Sequence, residues 1–474
     1  MKKLLNFLKT NPQLIIIWIF FLGFFLRIFR LPNFISYHQD QVRDLIYIQD
    51  HFQQGQMILL GPKASVGNFF LPPFWYYLMA IGYFFSPSPV APAFIVALLS
   101  ALTIIVIYKF CEKFFCQRIA FFAGLIYAVS HVSIEHSRFA WNPNPVPFFT
   151  ILTFYFLYTF IFEKKESGFY LGAIFANLAF QLHYQGMVIL SFFFLGVIIN
   201  KQMIIKRFLQ FIGINLLLVS PFLIYEVLNN FKNTTGIFNF IFHSTANQSL
   251  KFFGIPFYIK FIFRDFTSFL GKTLFFKNFW LGFIWLPIFG MSLLFKSKSQ
   301  RENLLKIFFI FSFMMLFVYK NSLIDFYLLY LIPPLIIYFV VFINKVLPDI
   351  YFTIISLIIV VISLFISPTF SKVDHTYTSI SYATKIITSK PDYCLVYDIF
   401  PTNYIESKFR YLISLQKNQP KQLDCETILY YRCDLRIKNI FYLCDSAKCQ
   451  KTEFMTLVDQ GRFNAGVEIY RFKP

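Results

Sequence analysis

Apolar runs recur along the chain from Leu14 to Ile366, many of them approaching the ~20 residues that a helix needs to span a hydrocarbon core. In lipid every backbone polar group must be satisfied internally, so such runs become helices. Spanning segments are read near 13–31, 71–86, 91–110, 118–135, 145–163, 169–183, 186–200, 208–228, 277–296, 304–320, 322–344 and 350–367. The first is no cleaved leader standing alone, because many similar segments follow it. Composition agrees: 57% of residues are hydrophobic, only 14% are charged, and 69 are Phe, whereas soluble domains carry about a quarter charged residues. The sequence predicts a polytopic α-helical membrane protein with about 11–13 transmembrane helices.

Two polar-containing stretches, 32–70 and 229–276, interrupt the apolar series, and the composition changes again after Pro368. There DYCLVYDI, NIFYLCD and GVEIYRF read as short β-strands, with NYIESKFRYLISLQ as an amphipathic helix between them. The expected division is a membrane domain over 1–367 and a small soluble α/β domain over 368–474. That tail holds Cys394, Cys425, Cys433, Cys444 and Cys449. CxxC pairs are missing and His375 is its only histidine, so disulfides in an extracytoplasmic domain are favoured over zinc.

The net charge of +20 is spread over segment ends rather than gathered in a stripe with stacking aromatics. It reads as anchoring to anionic membrane lipid and as positive-inside topology, with no nucleic acid partner. Lys2, Lys3 and Lys9 precede the first helix and place the N-terminus in the cytoplasm. The stretch 32–70 then lies on the far side. For it to share a face with a second polar stretch at 137–145, an even number of crossings must separate them. Three apolar segments intervene, so one is expected to be re-entrant or half-spanning.

Three polar clusters could carry chemistry. In SYHQDQVRDLIYIQDHFQQGQ, which includes Tyr37, Asp40, Arg43 and Asp44, the residues Val42, Leu45, Ile46 and Phe52 recur at helical spacing. This is the pattern of an amphipathic helix lying along the interface. Asp40 at its front is either an N-cap or a general base, roles that do not exclude one another. In GPKASVGNFFLPPFWYYL, Lys63 stands in a Gly-containing loop before a Pro-Pro helix start; it is either a solvated lysine or a cation presented to phosphate. In SIEHSRFAWNPNPVPFF, Arg138 is a snorkelling arginine or part of a functional knot with Glu135, His136, Asn142 and Asn144. His183, with Tyr184 and Gln185, ends a further segment and is a hydrogen-bonded structural residue or a substrate contact.

One spanning helix, an acidic interfacial stretch, a Pro-Pro-aromatic helix start and an Arg-led polar turn together resemble the GT-C membrane glycosyltransferases. The likeness is to the family-39 and RgtA/B/C/D-like branch, which includes the protein O-mannosyltransferases and the lipid A aminoarabinose transferase. It covers residues 13–200 and extends weakly to KNSLIDFYLLYLIPPL; the C-terminal domain corresponds only in position. The resemblance implies a GT-C fold and a catalytic acid in the first extracytoplasmic loop, where this chain has Asp40. Family members often carry an Asp-Glu pair there and an acid in the second loop; this chain has Asp40-Gln41, and Asn142 and Asn144. Both departures lower the local negative charge and make a divalent metal an unlikely cofactor.

The implied activity is hexosyl or pentosyl transfer from a polyprenyl-phosphate sugar donor to an acceptor hydroxyl on a glycan, lipid or protein, with inversion. Asp40 would take the hydroxyl proton, Lys63 or Arg138 would stabilise the leaving lipid phosphate, and Asn142 and His183 would orient sugar or acceptor. Tyr37, Arg43 and Asp44 would line the substrate site. The implied location is the plasma membrane, with active site and tail domain extracytoplasmic. Two other readings are a flippase or transporter of lipid-linked saccharides, for which no internal repeat is visible, and a polysaccharide polymerase or ligase using 229–276.

Overall fold

The computed structural model describes residues 11–64, 69–243, 255–318, 325–371, 376–389, 393–397, 411–416, 422–425, 439–445, 456–463 and 467–473. They fold as two compact units, one of Met1–Phe29, Met57–Ile81 and Phe94–Ser371, the other of Arg30–Gln56, Gly82–Ala93 and Lys372–Pro474. The second unit therefore gathers two earlier segments around the C-terminal region, so its sequence boundary is not a single cut at 367/368.

The first unit is helical, and its helices pack through small residues. Along Glu166–Leu182, Gly168, Gly172, Ala173, Ala176 and Ala179 are buried, which lets Val146–Glu163 and Gly186–Ile199 approach closely. In lipid such packing replaces the hydrophobic driving force. Aromatic edges fill the remaining space, as where Phe308 meets Phe154 at 4.8 Å and Phe192 at 4.9 Å. Arg27, 0% exposed, spends its guanidinium on Ser100 Oγ, Ser133 Oγ and the carbonyls of Gly23, Tyr127 and Ala128. A buried cation is tolerated only when its donors are met in this way.

By length and apolarity, four described stretches can cross a bilayer: Val90–Phe114, Val146–Glu163, Phe326–Val346 and Asp349–Phe370. Two bent pairs raise the number to six if each is one broken span. They are Ile205–Leu218 with Ser220–Leu228, bent by 67°, and Tyr258–Leu274 with Phe279–Leu294, bent by 104°. This count falls below the expected 11–13 because runs that look continuous in sequence are cut by bends, and others, such as Pro12–Ile28 and Gln117–Val129, stop short of 18 residues. The stretch 229–276 is not a loop: it contains the helix Lys232–His243 and a helical run from Ile255 to Leu274 with a π segment at Phe261–Phe266.

The turns of the first unit sort by chemistry into two ends. At one end Lys113 pairs with Glu163 at 2.9 Å and Arg207 with Glu166 at 2.5 Å. Arg301 donates to Phe114 O at 2.8 Å, Arg118 pairs with Asp349 at 2.5 Å, and Lys345 reaches Glu302 at 3.2 Å. The turns near 115, 164, 203, 298 and 347 thus share one basic face. At the other end lie the segments 61–72, 137–145, 183–185 and 226–243, joined by side-chain-to-backbone hydrogen bonds.

In the second unit Gln39–Gln54 buries Val42, Leu45 and Ile48, while Phe52 is 49% exposed and lies against Tyr83 at 5.5 Å. The helix ends on Gly55 at φ +63, the left-handed conformation that favours glycine, with Gly55 N–H on Phe52 O and Gln56 N–H on His51 O. Helix Phe74–Phe85 is 12 residues, about 18 Å long, well short of a ~30 Å core. Gln117–Val129, of 13 residues, is also too short to cross such a core in a straight line.

The tail carries a five-stranded sheet of β1 (Tyr393–Tyr397), β2 (Gln422–Cys425), β3 (Asn439–Asp445), β4 (Thr456–Phe463) and β5 (Val467–Lys473), in the order β2-β1-β3-β5-β4. β1 runs parallel to β2 and β3, and β5 is antiparallel to β3 and β4. The three strands expected from sequence are β1, β3 and β5. Of the helix expected over NYIESKFRYLISLQ, residues 411–414 are helical and 403–410 lie outside the described residues. Cys433 and Cys449 also lie outside them, as do the side chains of Cys394, Cys425 and Cys444, so disulfide pairing is not addressed.

Candidate active site

In the second unit the chain enters the Asp40 helix in extended conformation at His38, the N-cap residue. Asp40 therefore sits in the first turn rather than at the cap, where its charge still favours the helix N-terminus. Its Oδ1 accepts from Arg43 Nη1 at 2.9 Å; its other oxygen bonds no described residue. Arg43 in turn gives Nε and Nη2 to Asp44 Oδ1, at 2.9 and 2.7 Å. The Asp44 side chain is 1% exposed and that of Asp40 is 39% exposed. One arginine thus bridges a buried carboxylate and an open one. Asp44 anchors Arg43, and Arg43 orients Asp40 with one oxygen left over.

Tyr37 precedes this helix at φ +49, a conformation that bulky residues rarely adopt. It is fully buried, edge-on to Tyr377 at 5.6 Å, and Ile35 O accepts the Tyr377 N–H at 3.4 Å. Burial, with neighbouring Tyr411 and Tyr377, pushes the Tyr37 phenol well above its usual range. The structure places Tyr37 in the core of the second unit.

In the first unit Lys63 lies on a small hairpin: Lys63 and Phe70 form an antiparallel bridge, with Ala64 N–H on Phe69 O at 2.9 Å and Leu71 N–H on Pro62 O at 3.0 Å. Gly61 backs onto the Pro72 carbonyl so closely that a Cβ would collide with it. Lys63 itself is exposed, and no described residue bonds its ammonium. Tyr184 OH donates to Phe70 O at 2.8 Å, and Phe69 packs edge-on against Tyr184 at 5.3 Å. The hairpin is thereby fixed to the turn that carries His183.

That turn folds tightly over the end of Glu166–Leu182: Gly186 lies against Ala179 O, where no side chain fits. Asn142 Nδ2 donates to Leu182 O at 2.7 Å, while its Oδ1 bonds no described residue. Trp141 and Phe326 rings are 4.6 Å apart, and Tyr327 lies 5.7 Å from the His183 ring. Lys63, Asn142 and His183 are therefore brought to one end of one unit, with a partly accessible aromatic group of Trp141, Phe326 and Tyr327.

Arg138 differs. It is 1% exposed, and its guanidinium donates to Leu26 O at 3.4 Å and to Phe29 O. A cation on the last carbonyls of Pro12–Ile28 meets both the orphan acceptors and the negative dipole end. The structure sets the Arg138 guanidinium against the end of that helix.

Burial lowers the His183 imidazole to about 4. Gln185 N–H points at Nδ1, 3.4 Å away, as a neutral ring requires. Between about pH 6.5 and 4 an unfolded histidine takes up a proton that the folded one refuses, so stability falls as pH drops through that window. Thermal unfolding in detergent is expected to show this fall, and His183→Gln is expected to flatten it. An unchanged pH slope in the variant would exclude His183 as its source.

Residues 71–225 match the family model described as dolichyl-phosphate-mannose-protein mannosyltransferase. No curated protein matches the chain by sequence. Among solved structures, ArnT from Cupriavidus metallidurans in the apo state aligns over 98% of this chain and 98% of its own, with TM-score 0.59 and 13% identity. ArnT from the same organism bound to undecaprenyl phosphate aligns over the same shares with TM-score 0.56 and 12% identity.

The fold is GT-C.

A more distant GT-C likeness is the Archaeoglobus fulgidus oligosaccharyltransferase in complex with Zn and sulfate, at TM-score 0.50 and 14% identity over 89% of this chain and 59% of that one. Within the GT-C frame, the polar-aromatic head of KNSLIDFYLLYLIPPL reaches the His183 turn through Phe326 and Tyr327. Sequence reasoning passed over Glu226 and Asn233. A lone acid in an apolar run, as in SPFLIYEVL, was the available signal.

Proposed function

We propose that the chain is a multi-pass membrane glycosyltransferase that moves a sugar from a polyprenyl-phosphate donor to an acceptor hydroxyl, with inversion. The observation that carries this reading is the likeness along nearly the whole chain to ArnT, including its form bound to undecaprenyl phosphate. The match of residues 71–225 to the mannosyltransferase family supports it independently.

Asp40 is the general base: its unpaired oxygen takes the acceptor proton as the acceptor oxygen bonds the anomeric carbon. The bond from that carbon to the phosphate oxygen breaks, and its electron pair leaves with the polyprenyl phosphate. Lys63, exposed and unpaired among the described residues, is the cation that meets this phosphate. Asn142 Oδ1 and neutral His183 orient sugar or acceptor. The basic end of the first unit is cytoplasmic and the Lys63 end extracytoplasmic, an orientation supported by the clustered Lys and Arg of its turns.

Purified protein in detergent is expected to release polyprenyl phosphate from at least one member of a panel of polyprenyl-phosphate sugars when acceptor is supplied. A flippase would release none. Lys63→Met is expected to raise KM for the donor by about ten- to a hundredfold, the worth of a charge-assisted phosphate contact. An unchanged KM would remove Lys63 from the donor site.

A further inference from the structure

Glu226 is an acid that the proposed chemistry does not use. It is 1% exposed, inside the helix Ser220–Leu228. Its Oε1 accepts Asn233 N–H at 3.2 Å, and its Oε2 accepts the Thr234 N–H at 2.7 Å and the Thr234 hydroxyl at 2.5 Å. The carboxylate thus fixes the first turn of Lys232–His243, where orphan N–H groups and the helix dipole both favour an anion.

Asn233, 3% exposed, faces the Lys63 hairpin. Its Oδ1 accepts Phe70 N–H at 2.6 Å and its Nδ2 donates to Phe70 O at 3.3 Å. The amide therefore holds both backbone groups of the residue bridged to Lys63. Phe69, next to it, packs against Phe240 of the same helix at 5.5 Å. Each link is a hydrogen bond or ring contact inside one unit: Glu226 sets Asn233, Asn233 sets Phe70, and Phe70 sets Lys63.

We propose that Glu226 and Asn233 are positioning residues for the lipid phosphate. They hold the Lys63 hairpin in the register that presents its ammonium, so the donor affinity attributed to Lys63 is set by the segment 226–243. This rests on the reading of Lys63 as the phosphate cation. A clasp that were only structural would weaken every ligand of the bundle alike, whereas a positioning clasp acts on the phosphate alone.

The test uses the full-length chain in detergent with two probes, undecaprenyl phosphate and undecaprenol, and reads the ratio of their Kd values. Wild type is expected to prefer the phosphate. Lys63→Met should bring the ratio close to one, and Asn233→Ala should cut the preference about tenfold, as small displacements of a positioned group do. In the Lys63→Met background, Asn233→Ala should then change nothing further, because both act through one ammonium. Glu226→Gln, nearly isosteric, serves as the second variant and should lower the preference in the same direction. Should Asn233→Ala fail to fold, Glu226→Gln alone decides.

A full phosphate preference in the folded Asn233 and Glu226 variants, beside a lost one in Lys63→Met, would overturn the clasp and leave the Lys63 reading standing. An additive effect of Asn233→Ala on top of Lys63→Met would overturn it too. A phosphate preference that survives Lys63→Met would instead overturn the reading on which the clasp rests.

Discussion

Asp40→Asn is expected to lower sugar transfer by about two to four orders of magnitude, the range over which a positioned general base acts. The amide keeps the shape of the side chain and can still accept from Arg43, but it cannot take the acceptor proton. The Arg43–Asp44 pair, at 2.7 Å, does not depend on Asp40 and should keep the helix in place. Single-turnover sugar release by membranes containing the correctly inserted variant is the measurement. Turnover within a few-fold of wild type would take Asp40 out of the mechanism. Asp44→Asn is the instructive contrast, because it strips a buried carboxylate from Arg43 and should act on folding as well as rate.

Removing the chain after Ser371 is expected to abolish transfer, although none of the residues removed is assigned a chemical step. Segment Arg30–Gln56 belongs to the same compact unit as the C-terminal region. It would lose the Tyr37–Tyr377 ring contact, the Ile35 bond to Tyr377, and the Gln49–Ser414 bond at 3.3 Å. Segment 82–93 would lose Tyr377 on Ser88 at 3.2 Å and Tyr411 on Pro87 O at 2.5 Å. With these contacts gone, segment 30–56 should loosen, and trypsin should cut quickly at Arg43. A truncated protein that resists cleavage there and still transfers sugar would show that 30–56 keeps its fold unaided.

The membrane class, the amphipathic Asp40 helix and three of the five strands could be read from the chain because each writes a period into a short window of sequence. β2 and β4 could not: QLDC is four residues long, and TLVDQGRF shows no clean alternation of apolar and polar residues. The start of the Asp40 helix was misplaced because backbone conformation at His38, not residue preference, decides where the first turn begins. The partners of Arg138 were invisible in sequence: carbonyls of Leu26 and Phe29, more than a hundred positions away. The burial of Tyr37 was invisible for a similar reason, since the Tyr377 ring against it comes from late in the chain. The Lys63–His183 association was legible only as a cluster of polar types; the clasp from Glu226 through Asn233 depends on a helix that the sequence presented as loop.

The interleaving of the second unit has a consequence for biosynthesis. Arg30–Gln56 leaves the ribosome roughly 320 residues before the first of its C-terminal companions, a delay on the order of 15–60 s at ordinary rates of translation. Throughout that interval the Asp40 helix has, of its own unit, only segment 82–93 for company, with Phe52 against Tyr83. A nascent chain with every membrane segment already inserted would still be inert, and activity would switch on only as the last hundred residues close over the first segment to arrive.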